Sequence, residues 1–409
     1  MPKDRLERSL QAELDWLAAQ GRRKGRETVI AGIVRGGGGH GPRYRIVGEG
    51  DRAFLRMNAN NYLGMATVPE VIAAEEAAVR SFGAGPGAVR FISGTWAPHV
   101  ELERRLAAFH GRDAAMIFSS AYATVIGVIA PLVTADTAVI SDALNHNSII
   151  NAIKLTRPAL KSVYRHLDYG ELDACLADAA KSCKRAVVVT DGIFSMRGDH
   201  ADLARIMDIA GRYDATFAEN VVVVVDDSHG VGAFGETGRG TEEHTRRQAD
   251  ILIGTLGKAF GVNGGYVVGT SRLIDYLRET APMYIYSNPI TPGEAAAAAK
   301  VLELVDGPEG RLRLAHLRAM TERFSAGLVR LGLETIEGGH PIVPLLLRDS
   351  DRVTALVAHL RANGVLATGL KFPVVPRGDE EIRFQICADH TAADIDDVLA
   401  VLANFAERP

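Results

Sequence analysis

Residues 250–265 read DILIGTLGKAFGVNGG. The stretch opens apolar, with Ile251, Leu252 and Ile253, as a short buried strand does. It then breaks into Gly254-Thr255-Leu256-Gly257 and places one lysine, Lys258, at the end. A glycine-containing run, 261–265, follows. A lysine just past a buried strand is poorly solvated, which lowers its pKa and frees the amine as a nucleophile. Thr255, three residues earlier, offers a hydroxyl and a backbone N–H to an anion. This combination suits Schiff-base chemistry, which needs a neutral amine for an aldehyde and a phosphate anchor nearby. Alone, the stretch also reads as a surface lysine in a turn.

A second stretch, VVVVVDDSHG at 221–230, narrows the choice. Five consecutive valines fit a strand buried on both faces of a parallel sheet. Asp226, Asp227, Ser228 and His229 follow at its carboxyl end, where open α/β sheets bind ligands. One aspartate there can pair with a protonated ring nitrogen and make the ring an electron sink. His229 can hydrogen-bond a phenolic oxygen on the same ring. By itself the run equally reads as an acidic strand-end turn with a satisfied histidine. A strand ending DDSH followed by a strand ending GTLGK is far more specific.

Working outward, apolar runs recur at 114–118, 137–141, 161–164, 185–190, 221–226, 250–254 and 265–269, with helical patterns between many of them. This alternation predicts a mostly parallel sheet covered on both sides. Ser119-Ser120-Ala121-Tyr122 sits between a strand and a helix, a second candidate phosphate cradle. Leu6, Leu10, Leu14 and Leu17 predict an amphipathic helix over about 3–20. Arg22, Arg23, Lys24 and Arg26 follow as a basic connector, and Gly36–Gly39 with His40 as a mobile loop. Beyond a helix at 69–82 and helices at 290–306 and 309–331, the order strand (342–348), helix (351–363), strand (381–387), helix (391–405) predicts a small α/β cap carrying Arg383. The expected division is 1–57 as N-terminal helix and connector, 58–290 as a large cofactor-binding domain, and 291–409 as a small C-terminal domain.

A chain of 409 residues is long enough for this layout. Its net charge of −4 and lack of a basic block argue against a nucleic-acid partner. MPKDRLERSL has no apolar core, and no run approaches ~20 apolar residues, so a cytoplasmic chain with no membrane span is expected. Cys175, Cys183 and Cys387 have no metal-ligand spacing and read as packing residues.

The motifs NNYLG (60–64), VRFISGT (89–95), ISDALNHNSII (140–150), TDGIFSM (190–196), VDDSHGVG (225–232), GTLGKA (254–259) and FPVVPRG (372–378) resemble, in order, those of the α-oxoamine synthases. These are pyridoxal-phosphate enzymes of the fold-type I aminotransferase superfamily. FPVVPRG and ISDALNH are nearest the 2-amino-3-ketobutyrate CoA ligase (glycine C-acetyltransferase) branch. The resemblance implies a fold-type I large domain plus a small α/β domain. It implies a homodimer whose site lies at the subunit interface. It also implies a C-acyltransferase joining a small amino acid, glycine favoured, to an acyl-CoA, acetyl-CoA favoured. Lys258 then carries the cofactor and moves the Cα proton. Asp226 holds the ring nitrogen, His146 stacks on the ring, and His229 with Ser195 faces the phenolic oxygen. Ala121 and Tyr122, through backbone N–H groups, Thr255, and Ser287 from the partner subunit hold the phosphate. Asn60 and Arg383 clamp the amino-acid carboxylate, Arg383 through its planar fork.

Departures exist. Trp96-Ala97-Pro98, GVNGG and Pro289 differ from the ligase pattern where substrates pass. Other readings therefore stand beside the first: an 8-amino-7-oxononanoate or 5-aminolevulinate synthase-like enzyme, use of a carrier-protein thioester, or an aminotransferase on the same fold. A non-catalytic partner subunit would have to lack the lysine that Lys258 supplies.

Overall fold

The computed structural model describes residues 3–23, 25–336 and 338–406. Met1, Pro2 and Lys24, which the N-terminal expectations include, lie outside the described residues, as do residues 337 and 407–409 of the C-terminal portion.

After a helix at Asp4–Ala19 come three short strands, β1 (Ile30–Val34), β2 (Arg43–Ile46) and β3 (Ala53–Arg56). Seven strands then build the central sheet: β4 (Ala114–Phe118), β5 (Thr137–Asp142), β6 (Leu160–Tyr164), β7 (Arg185–Asp191), β8 (Val221–Asp226), β9 (Ile251–Thr255) and β10 (Gly265–Gly269). Their order is β4-β10-β9-β8-β7-β5-β6. The run from β9 to β6 is parallel, and β10 is antiparallel to both its neighbours. Chain length explains the exception. A parallel return needs a crossover of a dozen or more residues. Only residues 256–264 separate β9 from β10, so the chain can only turn back. That short loop carries Lys258 and holds it at the carboxyl end of the sheet.

Burial fits the valine-rich sequences. Val223, Val224 and Val225 are fully buried, as are Val187, Val188 and Val189 on β7 beside them. The β7–β8 register sets Asp191 directly opposite Asp226.

The C-terminal strands are β11 (Ile342–Leu346), β12 (Val365–Leu366), β13 (Thr368–Leu370) and β14 (Glu381–Gln385). β14 lies between β11 and β13, antiparallel to both. Its side chains alternate. Ile382 and Phe384 enter the core, where Phe384 meets Phe324 of the helix Pro308–Arg330 edge-on at 5.0 Å. Glu381, Arg383 and Gln385 share the other face. β12 instead pairs with β3, so the N-terminal strands and a C-terminal strand form one four-stranded sheet.

Two local features add detail to the expectations. The 36–40 loop closes as a tight turn, with Gly37 and His40 exchanging backbone hydrogen bonds at 3.0 and 3.2 Å, and His40 reaches Asp397 at 3.1 Å. The Asp4–Ala19 helix is amphipathic but buries nothing: Leu6 is 54% exposed and Leu10 50%. Cys183 and Cys387 are buried and Cys175 half-buried, and all three are free thiols. No helix among the described residues is long and apolar enough to cross a membrane.

Candidate active site

At the carboxyl ends of β7, β8 and β9, one cavity is lined by Ala121, Tyr122, His146, Asp191, Ser195, Asp226, His229 and Lys258, together with Ser148 and Ser228. Ten residues from five separate segments of the chain thus meet where the parallel strands end.

Lys258 is half-buried. Its loop is closed by Leu256 N–H to Gly264 O and Val262 N–H to Leu256 O, both 2.9 Å, and by Gly261 N–H to the Lys258 carbonyl, 2.9 Å. Burial brings its pKa down to about 8, while the Asp226 and Asp191 carboxylates pull the other way. A useful fraction of neutral amine is therefore present near neutral pH.

Asp226 is buried, and its Oδ1 accepts the Ser228 N–H at 3.1 Å. Its cross-strand neighbour Asp191 is pushed well above the ordinary carboxyl range, first by burial and then by the Asp226 charge. Asp191 also accepts the His146 backbone N–H at 2.8 Å.

His146 caps the helix Asn147–Lys154: its Nδ1 accepts the Ser148 N–H at 3.2 Å and contacts Ser148 Oγ at 2.7 Å. Burial holds its pKa below the ordinary value. His146 lines the cavity as a neutral ring, so the cap and the lining role coexist.

His229 meets the Tyr62 hydroxyl through Nδ1 at 2.8 Å. Burial drives Tyr62 up and His229 well down, so Tyr62 keeps its proton and donates it. We assign the proton on His229 to Nε2 from that bond.

The helix Ala121–Leu132 starts at the cavity, capped by Ser120 Oγ accepting the Ala123 N–H at 3.1 Å. Its first-turn N–H groups, those of Ala121 and Tyr122 included, have no intrahelical acceptor. Gly265 lets the sheet approach this helix start, since a Cβ there would collide with the Ala121 nitrogen. The Tyr122 hydroxyl is engaged elsewhere, donating to Asn147 Oδ1 at 3.1 Å.

Arg383 donates from Nη1 to the Ser195 carbonyl at 2.7 Å, and its Nε is buried without a partner. Asn60 touches Gln385, the next residue on that strand face, and lies 3.3 Å from the Tyr62 hydroxyl oxygen. With its amide turned to satisfy both ends, Gln385 accepts Arg383 Nη2 at 3.3 Å and donates to the Asn58 carbonyl at 3.1 Å. Thr255 does not line the cavity; its hydroxyl donates to Gly264 O and accepts the Gly257 N–H, each at 3.2 Å. Ser287 is half-buried and does not line its own chain's cavity.

Four residues were not singled out from the sequence. Asp191 sits inside TDGIFSM, Tyr62 inside NNYLG, and Ser228 inside DDSH. Gln385 had one available signal, its spacing of two from Arg383 on a strand.

Comparisons with known proteins identify the family. The family model for "Aminotransferase class I and II" matches residues 52–402. An 8-amino-7-oxononanoate synthase of Anaeromyxobacter dehalogenans is 40% identical over 394 residues, covering 96% of this chain and 94% of the relative. A 2-amino-3-ketobutyrate coenzyme A ligase of Escherichia coli is 42% identical over 343 residues, covering 82% and 83%. Among solved structures, a serine palmitoyltransferase of Sphingomonas wittichii superposes with TM-score 0.86 at 28% identity, covering 97% of this chain and 96% of that one. The chain belongs to the class I and II aminotransferases and, within them, to the α-oxoamine synthases. It has the fold-type I architecture, and its cofactor is pyridoxal phosphate. The cavity fits that group: an amine of lowered pKa, a buried carboxylate that needs a cation, a flat neutral imidazole and free helix-start N–H groups converge on it. Acyl transfer to an amino acid is the reaction class.

Proposed function

We propose that this enzyme joins a small amino acid, glycine first, to an acyl thioester, acetyl-CoA first, forming an α-amino-β-keto acid or the α-oxoamine left when CO₂ departs. One observation carries the reading: Lys258, Asp226 and His146 meet in one cavity that reaches Arg383 through Ser195.

Bound pyridoxal phosphate supplies an acceptor for the electron pair left when a proton leaves Cα. Lys258 holds the cofactor and takes that Cα proton as a base. Asp226 keeps positive charge on the ring nitrogen. His146 covers one ring face and excludes water. His229 offers its Nε2–H, and Ser195 its hydroxyl, to the phenolic oxygen. N–H groups of Ala121 and Tyr122, with Ser287 of the partner subunit, would hold the phosphate. Thr255 acts through the loop that its hydroxyl braces. Arg383 presents its unpartnered Nε to the amino-acid carboxylate, and Asn60 steadies that clamp through Gln385. The deprotonated carbon would then attack the thioester carbonyl, the C–S bond would break, and the thiolate would leave with the proton that Lys258 took from Cα.

A homodimer supports the Ser287 role. Leu6, Leu10, Phe91, Ile92 and Tyr286 are each at least 50% exposed in the single chain, and a second copy would cover such apolar surface. The unit at 58–290 serves the cofactor and the C-terminal unit supplies Arg383 from β14, with the 30–56 strands joined to it through β12. We place the enzyme in the cytoplasm.

Free-thiol release, screened across amino acids and acyl-CoAs, tests the reading. Glycine with acetyl-CoA should give the highest rate. Conversion of the cofactor to its amine form by amino acid alone would make the enzyme an aminotransferase. Turnover only with a dicarboxylic monothioester such as pimeloyl-CoA would favour 8-amino-7-oxononanoate synthesis.

A further inference from the structure

A second cavity of about 380 Å³ adjoins the first, and Ser195 lines both. It lies between the 194–197 turn and the 372–376 segment. Leu144, Ile150, Met196, Phe372 and Val374 give it mainly apolar walls. One wall residue breaks the pattern. Glu381, on β14, is 2% exposed, and its Oε1 has no hydrogen-bond partner. It stands two residues before Arg383 on the same strand face, on the far side of Ser195 from Lys258. The charged groups facing it are Arg383 and Arg197, which favour its carboxylate, and Asp379 and Asp199, which oppose it. Burial, with the two aspartates, outweighs the two arginines and pushes its pKa up to about 8.

We propose that Glu381 is a specificity-determining residue that pairs with a secondary amide in the thiol-bearing arm of the thioester substrate. The inference rests on the thioester reading above and adds the residue that recognises the arm. Three physical points carry it. The cavity has room for on the order of a dozen water-sized groups at ~30 Å³ each, far more than a two-carbon acyl group needs. The Glu381 oxygen is already out of water and unpartnered, and a purely hydrocarbon occupant would leave it in that costly state. A secondary amide avoids that in either protonation state: its N–H donates to a carboxylate, and its carbonyl accepts from a carboxylic acid.

The test uses the pyridoxal-phosphate holoenzyme, with pantetheine as the probe because coenzyme A and carrier-protein thioesters share it. Pantetheine affinity is measured by calorimetry, and glycine affinity by the change in cofactor absorbance, for wild type, Glu381→Leu and Glu381→Gln. Glu381→Leu should weaken pantetheine about tenfold while glycine affinity stays within about twofold. Glu381→Gln, which retains a donor and an acceptor, should stay within about threefold of wild type for both. Glu381→Leu should melt no lower than wild type, because it removes a buried unpartnered oxygen; a bracing residue would lower the melting point. Unchanged pantetheine affinity in Glu381→Leu overturns the proposal. An equal loss of glycine affinity also overturns it, since Glu381 would then act through Arg383. Wild type that answers glycine but binds no pantetheine overturns it while sparing the amino-acid half of the parent reading. A cofactor spectrum indifferent to every small amino acid sinks the parent reading itself.

Discussion

Asp226 and Asp227 are neighbours in sequence and opposites in the fold. Asp226 ends β8 facing the cavity, with Asp191 beside it and Lys258 across from it. Asp227 points to the rear. There it is fully buried and accepts the Thr241 N–H at 2.7 Å and the Thr241 hydroxyl at 2.6 Å. Gly192, Gly230 and Gly240 crowd that carboxyl so closely that a Cβ at any of them would collide with it. One carboxyl is supplied with protein donors; the other has one backbone N–H from Ser228 and otherwise meets the cavity. The lesson is that hydrogen-bond satisfaction separates a structural acid from a site acid when residue type and position cannot.

The largest effect that would test the site side is at Lys258. Lys258→Ala should lower thiol release by about 10³-fold or more, combining the loss of the covalent anchor and of the base. It should also abolish the imine absorbance on adding pyridoxal phosphate, while circular dichroism stays unchanged. In wild-type apoprotein, capture of pyridoxal phosphate should accelerate as pH rises through about 8, because the reactive form is the neutral amine. A rise delayed to the ordinary lysine range would remove burial as the cause.

Asp226→Asn comes next. A neutral amide cannot stabilise the ring cation as a carboxylate does, so glycine Cα proton exchange should fall on the order of 10²–10³-fold with cofactor still bound. Exchange at the wild-type rate would erase the contrast between the two aspartates.

Arg383→Ala should raise the amino-acid KM by roughly 30- to 5,000-fold and leave the thioester KM nearly unchanged, as losing one partner of a buried charge pair costs ~2–5 kcal/mol. Arg383→Lys should recover little, since an ammonium lacks the fork. If the thioester KM moves instead, Arg383 faces the other substrate.

The smallest effect belongs to the rear. Asp227→Ala should cost about 1–3 kcal/mol of stability by urea unfolding, because Thr241 loses its acceptor, with less than about tenfold change in proton exchange per folded molecule. The sign of its pH dependence follows from burial. Asp227 sits at about 8 in the fold, above its ordinary value of 3.8, so the fold holds its proton more tightly than the unfolded chain does. Its contribution is complete below 3.8 and is lost as pH rises through 8. The gap between wild type and Asp227→Ala should therefore narrow from pH 5 to 8.

Much of this was legible in the sequence for local reasons. Runs of valine and isoleucine marked the buried strands, and their alternation with helical patterns marked the layered sheet. GTLGK and DDSH identified Lys258, Asp226 and His229 because each stands immediately after such a strand, where the chain leaves the sheet. What the sequence could not decide was set by contacts between distant segments. Asp191 joins the site only because register places it opposite Asp226. Tyr62 matters because its hydroxyl crosses to His229, 167 positions along the chain. The Thr255 hydroxyl turned inward to brace its loop, and Glu381 acquired an unpartnered oxygen only when β14 closed beside the 194–197 turn. Sequence patterns report which residues leave water. Which buried polar groups find partners depends on how the segments pack, and only the tertiary structure decides that.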